Sequence, residues 1–119
     1  MSRQSLANLT RWGAALLVAG LALSGCGGPG RADGRQVFES SGCGSCHSLA
    51  AAGTSGGVGP DLDQSLRGKS PDYVRRAILD PRAELEPGYG PLMPTNYRER
   101  LSAQQLDALV ELLAGAGGR

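Results

Sequence analysis

Cys43 and Cys46 stand three positions apart, and His47, the only histidine of the chain, follows directly. This group restricts the fold more than any other part of the sequence. A C-x-x-C redox pair belongs to a thioredoxin-like βαβ pattern, and no such pattern runs along this chain. A zinc site needs four ligands, commonly Cys and His, and the chain adds only Cys26 to these three. A structural disulfide between Cys43 and Cys46 leaves His47 without a role. The remaining reading is C-x-x-C-H as a haem c attachment signature. Two thiols add to the two vinyl groups at one porphyrin edge, and the histidine beside the second thiol reaches the iron from one face. The motif implies one haem c per chain, with Cys43 and Cys46 as thioethers and His47 as an iron ligand.

The composition suits a chain built on such a staple. Its 119 residues are enough for one domain, with 19 glycines and only 4% aromatic residues. Trp12 lies in the N-terminal segment, so Phe38, Tyr73, Tyr89 and Tyr97 are the aromatics left to a mature domain. A small domain this poor in bulk usually needs a disulfide, a metal or a cofactor. The net charge of +1 gives no reason to expect nucleic acid as a partner.

The first 25 residues read as an address. Arg3 and Arg11 mark a charged start, and Trp12 to Gly25 is uncharged and rich in Ala, Leu and Val. That run is about 14 residues, short of the roughly 20 that cross a bilayer as a helix, and suits the h-region of a signal peptide. It ends Leu23-Ser24-Gly25-Cys26, which resembles the lipobox of bacterial lipoproteins. The resemblance implies a signal peptide over 1–25 and a lipid on Cys26 as the new N-terminus. Cleavage nearby with Cys26 free or disulfide-bonded, and an uncleaved membrane helix, are the competing readings. Without residues 1–25 the acids exceed the bases by one. Residues 26–33 then form a lipidated end and a short tether, whose seven residues from Gly27 to Asp33 reach at most about 25 Å. The cofactor domain is expected over 34–119.

Local signals in that domain are helical. Asp33 stands as an N-cap with Gln36 positioned to complete a capping box, and Gly42 ends the first helix, which presents Val37 and Phe38. Ala50 to Gly59 has no periodicity and reads as loop. Ser70-Pro71 starts a helix with Val74, Ala77 and Ile78 on one face, and Asp80-Pro81 stops it. Pro87 to Pro94 reads as an extended, stiff loop. Ser102 and Gln105 form a capping box for a last helix, with Leu101 and Leu106 as staple. Leu106, Leu109, Val110 and Leu113 share a face, and Gly115 ends it. The fold class is all-α, with two longer terminal helices and much loop between.

Met93 is the only methionine besides the initiator and sits in Pro91-Leu92-Met93-Pro94. A lone methionine is often a core gap-filler, but a core methionine usually lies on an apolar helix face. His/Met ligation of haem is well established and raises the potential, so Met93 is the candidate for the second axial position.

The motifs together resemble the class I monohaem cytochromes c, most of all the short bacterial type found free or fused to haem-copper oxidase subunit II. They are Cys43–His47, Gly59-Pro60-Asp61-Leu62, Ile78-Leu79-Asp80-Pro81, Pro87-Gly88-Tyr89, Met93-Pro94 and the Leu101-Ser102 helix start, covering about Asp33 to Leu113. The resemblance implies a small class I cytochrome c fold around one covalent haem. It implies that the Pro60 carbonyl accepts from His47 Nδ1–H, which would leave Nε2 for iron. It implies a crossing of the first and last helices at Gly34 and Phe38, where Leu112 replaces the usual aromatic of the last helix. Tyr89, Asn96 and Tyr97 fall where loop side chains bond haem propionates, although ordinary loop packing explains them equally well.

The expected function is electron transfer, with no catalytic residue. Two axial ligands leave iron no open position, and the single histidine and paired cysteines are spent on haem. Cytochromes c′ carry the motif near the C-terminus, and dihaem peroxidases need a second motif. The partner expected is a membrane redox complex of a respiratory or related chain. The protein is then either a membrane-anchored carrier, monomeric outside a complex, or a fixed subunit of a terminal oxidase or similar assembly. Its place is extracytoplasmic, lipid-anchored to a bacterial membrane on the periplasmic or cell-surface side. Arg67, Lys69, Arg75, Arg76 and Arg82 interleave with Asp61, Asp63, Asp80, Glu84 and Glu86, either as a solvated mixed face or as a docking patch.

Overall fold

A computed structural model describes residues 30–118. The expected signal segment 1–25, Cys26 and the first part of the tether lie outside the described residues. Among the described residues no helix is long and apolar enough to cross a membrane.

The chain runs through five helices and a two-stranded ribbon: α1 (Gly34–Ser40), β1 (Ser48–Leu49), β2 (Thr54–Ser55), α2 (Leu62–Ser65), α3 (Pro71–Leu79), α4 (Tyr97–Arg100) and α5 (Ala103–Gly117). It is all-α apart from the ribbon, in which Ser48 faces Ser55 and Leu49 faces Thr54 in antiparallel register. The ribbon and a 3₁₀ turn at Ala50–Ala52 correct the expectation of plain loop over Ala50 to Gly59. Two residues per strand are too few for a hydrophobic alternation to show.

Side-chain caps start four of the helices. Asp33 accepts from Arg35 N at 2.9 Å, so it caps α1 alone and the capping box with Gln36 is not formed. Asp61 caps α2 through Asp63 N and Gln64 N. Ser70 accepts from Tyr73 N, with Pro71 in the first turn of α3. Ser102 and Gln105 complete the capping box of α5. The last helix runs past Gly115 to Gly117, correcting the expected stop. Its final turn is held by packing, since Ala116 and Gly117 are buried and Gly117 lies against the Leu66 carbonyl. The first helix has only 7 residues, fewer than the 9 of α3, so the longer helices are α3 and α5 rather than the two terminal ones.

The core gathers on α5, which packs against α1, α2 and α3. Phe38, Leu49, Val74 and Leu109 are its fully buried large side chains, each contributing about 1.5–3 kcal/mol by leaving water. Leu101 and Leu106 are half-buried against the same cluster. At the α1–α5 crossing a Cβ on Gly34 would overlap the Ala108 carbonyl oxygen and come within 2.9 Å of Leu112 Cβ. Before α1, Ala32 packs on the core and Arg31 pairs with Glu111 of α5.

Gly34→Ala is therefore expected to destabilise. The helix-propensity gain of about 1 kcal/mol is outweighed by backbone overlap, and overpacking costs about 1–3 kcal/mol. A fall in the denaturant midpoint at constant slope is the expected result; a midpoint raised by the substitution would show that the crossing has slack.

Candidate functional site

After α1, Cys43 opens a tight 3₁₀ turn, Cys43–Ser45, and Cys46 and His47 follow it directly. Gly42, with φ of 78°, redirects the chain into it. The amides of Cys46 and His47 both donate to the Cys43 carbonyl, at 3.1 and 3.0 Å. Two further bonds hold the turn from outside, and a third holds the chain just after it. Thr54 Oγ1 donates to the His47 carbonyl at 2.9 Å, Gly59 N donates to the Cys46 carbonyl at 2.7 Å, and Asp63 accepts from Ala50 N at 2.7 Å. Both thiols are free and half-buried. Burial pushes the Cys43 thiol above its ordinary range, opposed by its own backbone hydrogen bond and by the positive charge of Arg100.

His47 Nδ1 lies 2.8 Å from the Pro60 carbonyl oxygen. A carbonyl only accepts, so Nδ1 carries the proton and Nε2 keeps its lone pair. Gly59 lies flat against this ring: a Cβ there would stand 2.6 Å from His47 Cε1 and 2.8 Å from Nδ1. The imidazole is thus held by a hydrogen bond at one atom and by backbone contact on its side.

Next to this ring opens a cavity of about 270 Å³. Its apolar wall comes from α1, α2, α3 and α5, through Phe38, Leu62, Leu66, Val74, Ile78 and Leu109. Cys43, Cys46, His47, Pro60 and Met93 all face it. Met93 is half-buried and packs on the core. Tyr97 is a buried part of the wall, and Tyr89 is an exposed one. Burial raises the Tyr97 hydroxyl above its ordinary range, with a smaller push from Cys43 and a counter-pull from Arg100. Asn96 is exposed, precedes α4 and is not part of the wall.

Some residues of the cavity carry no motif that marks them in sequence. Gly59 belongs to the Gly59-Pro60-Asp61-Leu62 motif, but nothing in the sequence marks its contact with the imidazole. Arg100, from α4, is the one basic side chain of the wall among the described residues, and Tyr73, Glu84 and Glu86 also face the space. The mid-chain basic cluster is partly neutralised: Arg75 pairs with Asp107 at 2.7 Å and Arg76 with Glu84 at 2.9 Å. Lys69 stands 4.6 Å over the Tyr73 ring.

The residues fit a covalently held haem. Two free thiols and an imidazole with an available Nε2 share one apolar cavity, and Gly59 leaves the ring room that any side chain would fill. Gly59→Ala is expected to displace the His47 ring at about 1–3 kcal/mol, whereas Gly57→Ala, with open space around it, is expected to be neutral. Denaturant unfolding of the two variants side by side checks this, and equal midpoints would show that the ring is not confined.

Neither the curated proteins nor the solved structures compared with the chain gave a match. The family model described as Cytochrome c matches residues 31–116. That span holds the attachment turn, the cavity and all five helices but the last residue of α5. The chain belongs to the cytochrome c family, whose class I members bind haem c covalently and serve in electron transfer.

Proposed function

We propose that this protein is a single-electron carrier with one haem c ligated by His47 and Met93, tethered to an extracytoplasmic bacterial membrane surface through a lipid on Cys26. The observation that carries the ligand reading is that the one histidine and the one methionine of the described residues face the same apolar cavity. Cytochrome c domains usually stand outside the cytoplasm, which agrees with the export signal read over 1–25.

When bound, haem c supplies an iron that takes up and gives back one electron. Cys43 and Cys46 hold it as thioethers. His47 offers Nε2, because Nδ1–H is committed to Pro60, and that bond raises the basicity of the ligand nitrogen. Met93 offers a neutral thioether from a loop braced by Pro91 and Pro94, which favours ferrous iron and a raised potential. Tyr97 and Tyr89 bring hydroxyls to the wall that suit propionate oxygens. With His47 and Met93 both committed to the iron, it would have no open position for a substrate. The redox partner is a membrane complex of a respiratory or related chain.

The oxidised protein is expected to show the weak far-red thioether–iron band, and the reduced protein to bind carbon monoxide poorly at neutral pH. Met93→Ala is expected to lose the band and bind carbon monoxide readily. Fast stoichiometric binding by wild type would replace the carrier reading with an open-site one. For the anchor, mass spectrometry of the mature N-terminus is expected to find Cys26 carrying a diacylglyceryl group. An unmodified Cys26, or a chain still beginning at Met1, would remove the membrane tether from the proposal.

A further inference from the structure

The charges facing the cavity are few. His47 is neutral as a ligand. Glu84 is neutralised by Arg76 at 2.9 Å. Glu86 and Arg100 therefore remain as the wall charges without a salt bridge among the described residues. Glu86 comes from the proline-rich loop. Arg100 closes α4, and its guanidinium sits 5.0 Å from the centre of the Tyr97 ring. Tyr97 is only 5% exposed, so the platform under the cation is fixed in the core. Burial raises its hydroxyl above its ordinary range. Arg100 is itself exposed, and its contact with a buried aromatic face gives the guanidinium a defined place.

We propose that Arg100 sets the redox poise of the site: held on Tyr97 at the cavity wall, its charge favours the reduced state. This rests on the function proposed above. The sign follows from charge alone. Oxidation adds one positive charge beside the cavity, and a fixed cation on its wall opposes that step. A propionate near Arg100 leaves the sign unchanged, since removing the cation would leave that anion uncompensated and favour oxidation further. Arginine stays protonated throughout the working range of pH, so the bias is permanent. Arg98 is the natural control. Like Arg100 it is exposed and on α4, but it lies outside the wall, and removing it changes the net charge equally.

The experiment is equilibrium redox titration of the holoprotein with the far-red band recorded alongside. At fixed solution potential, Arg100→Gln is expected to lower the ferrous-to-ferric ratio about three- to tenfold. At 59 mV per tenfold for one electron, that is a fall of about 30–60 mV. Arg100→Lys is expected to keep most of the wild-type ratio, and Arg98→Gln to leave it within measurement. The band is expected to persist in all three. An unchanged ratio in Arg100→Gln overturns the proposal. So does an equal shift in Arg98→Gln, which would mark a bulk charge effect, or failure of lysine to restore the ratio, which would mark shape rather than charge. Loss of the band in Arg100→Gln would make the residue a support for the Met93 loop and overturn its electrostatic role. A wild type without the band overturns the Met93 ligation instead, and the ratio in the variants still reports on Arg100.

Discussion

The near-contact of two backbones at Gly34 and Ala108 holds together a chain that has little else to hold it. Helices of 4, 7 and 9 residues are too short to persist alone in water, where about 12–15 residues are marginal. They survive by lying on α5. The approach at Gly34 lets α1 press Phe38 fully into the core, and α1 in turn delivers the chain to Gly42 and the attachment turn. Position and chemistry are thus coupled: the helix that begins at the crossing ends a few residues before the two thiols.

The turn itself has too few residues to be rigid, and its order is borrowed. Thr54 from the ribbon, Gly59 from the following loop and Asp63 from α2 each bond to it or beside it. The ribbon is too small to have a core of its own. Its role here is to support a reactive strip of backbone from behind. The opposite side of that strip faces an almost wholly apolar wall, where the low dielectric makes any fixed charge count for more than it would at the surface. Arg100 is itself exposed, but its cation is held on a buried ring at this wall, whereas two of the five mid-chain basic residues are paired with acids.

Legibility in the sequence followed the range of the interactions. Ser70-Pro71, Asp80-Pro81 and the Ser102–Gln105 box act within one turn of chain, and the helices start and stop where those residues stand, except at the end of α5, where packing of Ala116 and Gly117 overrides Gly115. The Cys43–His47 turn was readable because its parts are contiguous. The short α2 and α4 were missed, since four residues carry no periodicity, although Asp61 was available as a cap. The contact of Gly59 with the imidazole and the arrival of Arg100 at the wall depend on chain segments brought together only by folding. Asn96, just before α4, is exposed and not part of the cavity lining, whereas Tyr97, the first residue of α4, turns inward.

The ion pair of Arg31 with Glu111 and the packing of Ala32 fasten the chain to α5 before the first helix begins. With a lipid on Cys26, the five peptide steps from 26 to 31 would span at most about 17 Å. A body on so short a leash cannot drift from the bilayer. It can only swivel about the point where the leash leaves α5. Meeting a redox partner then becomes a search in orientation on a plane, and the clasp on α5 decides which sides of the domain that search can present.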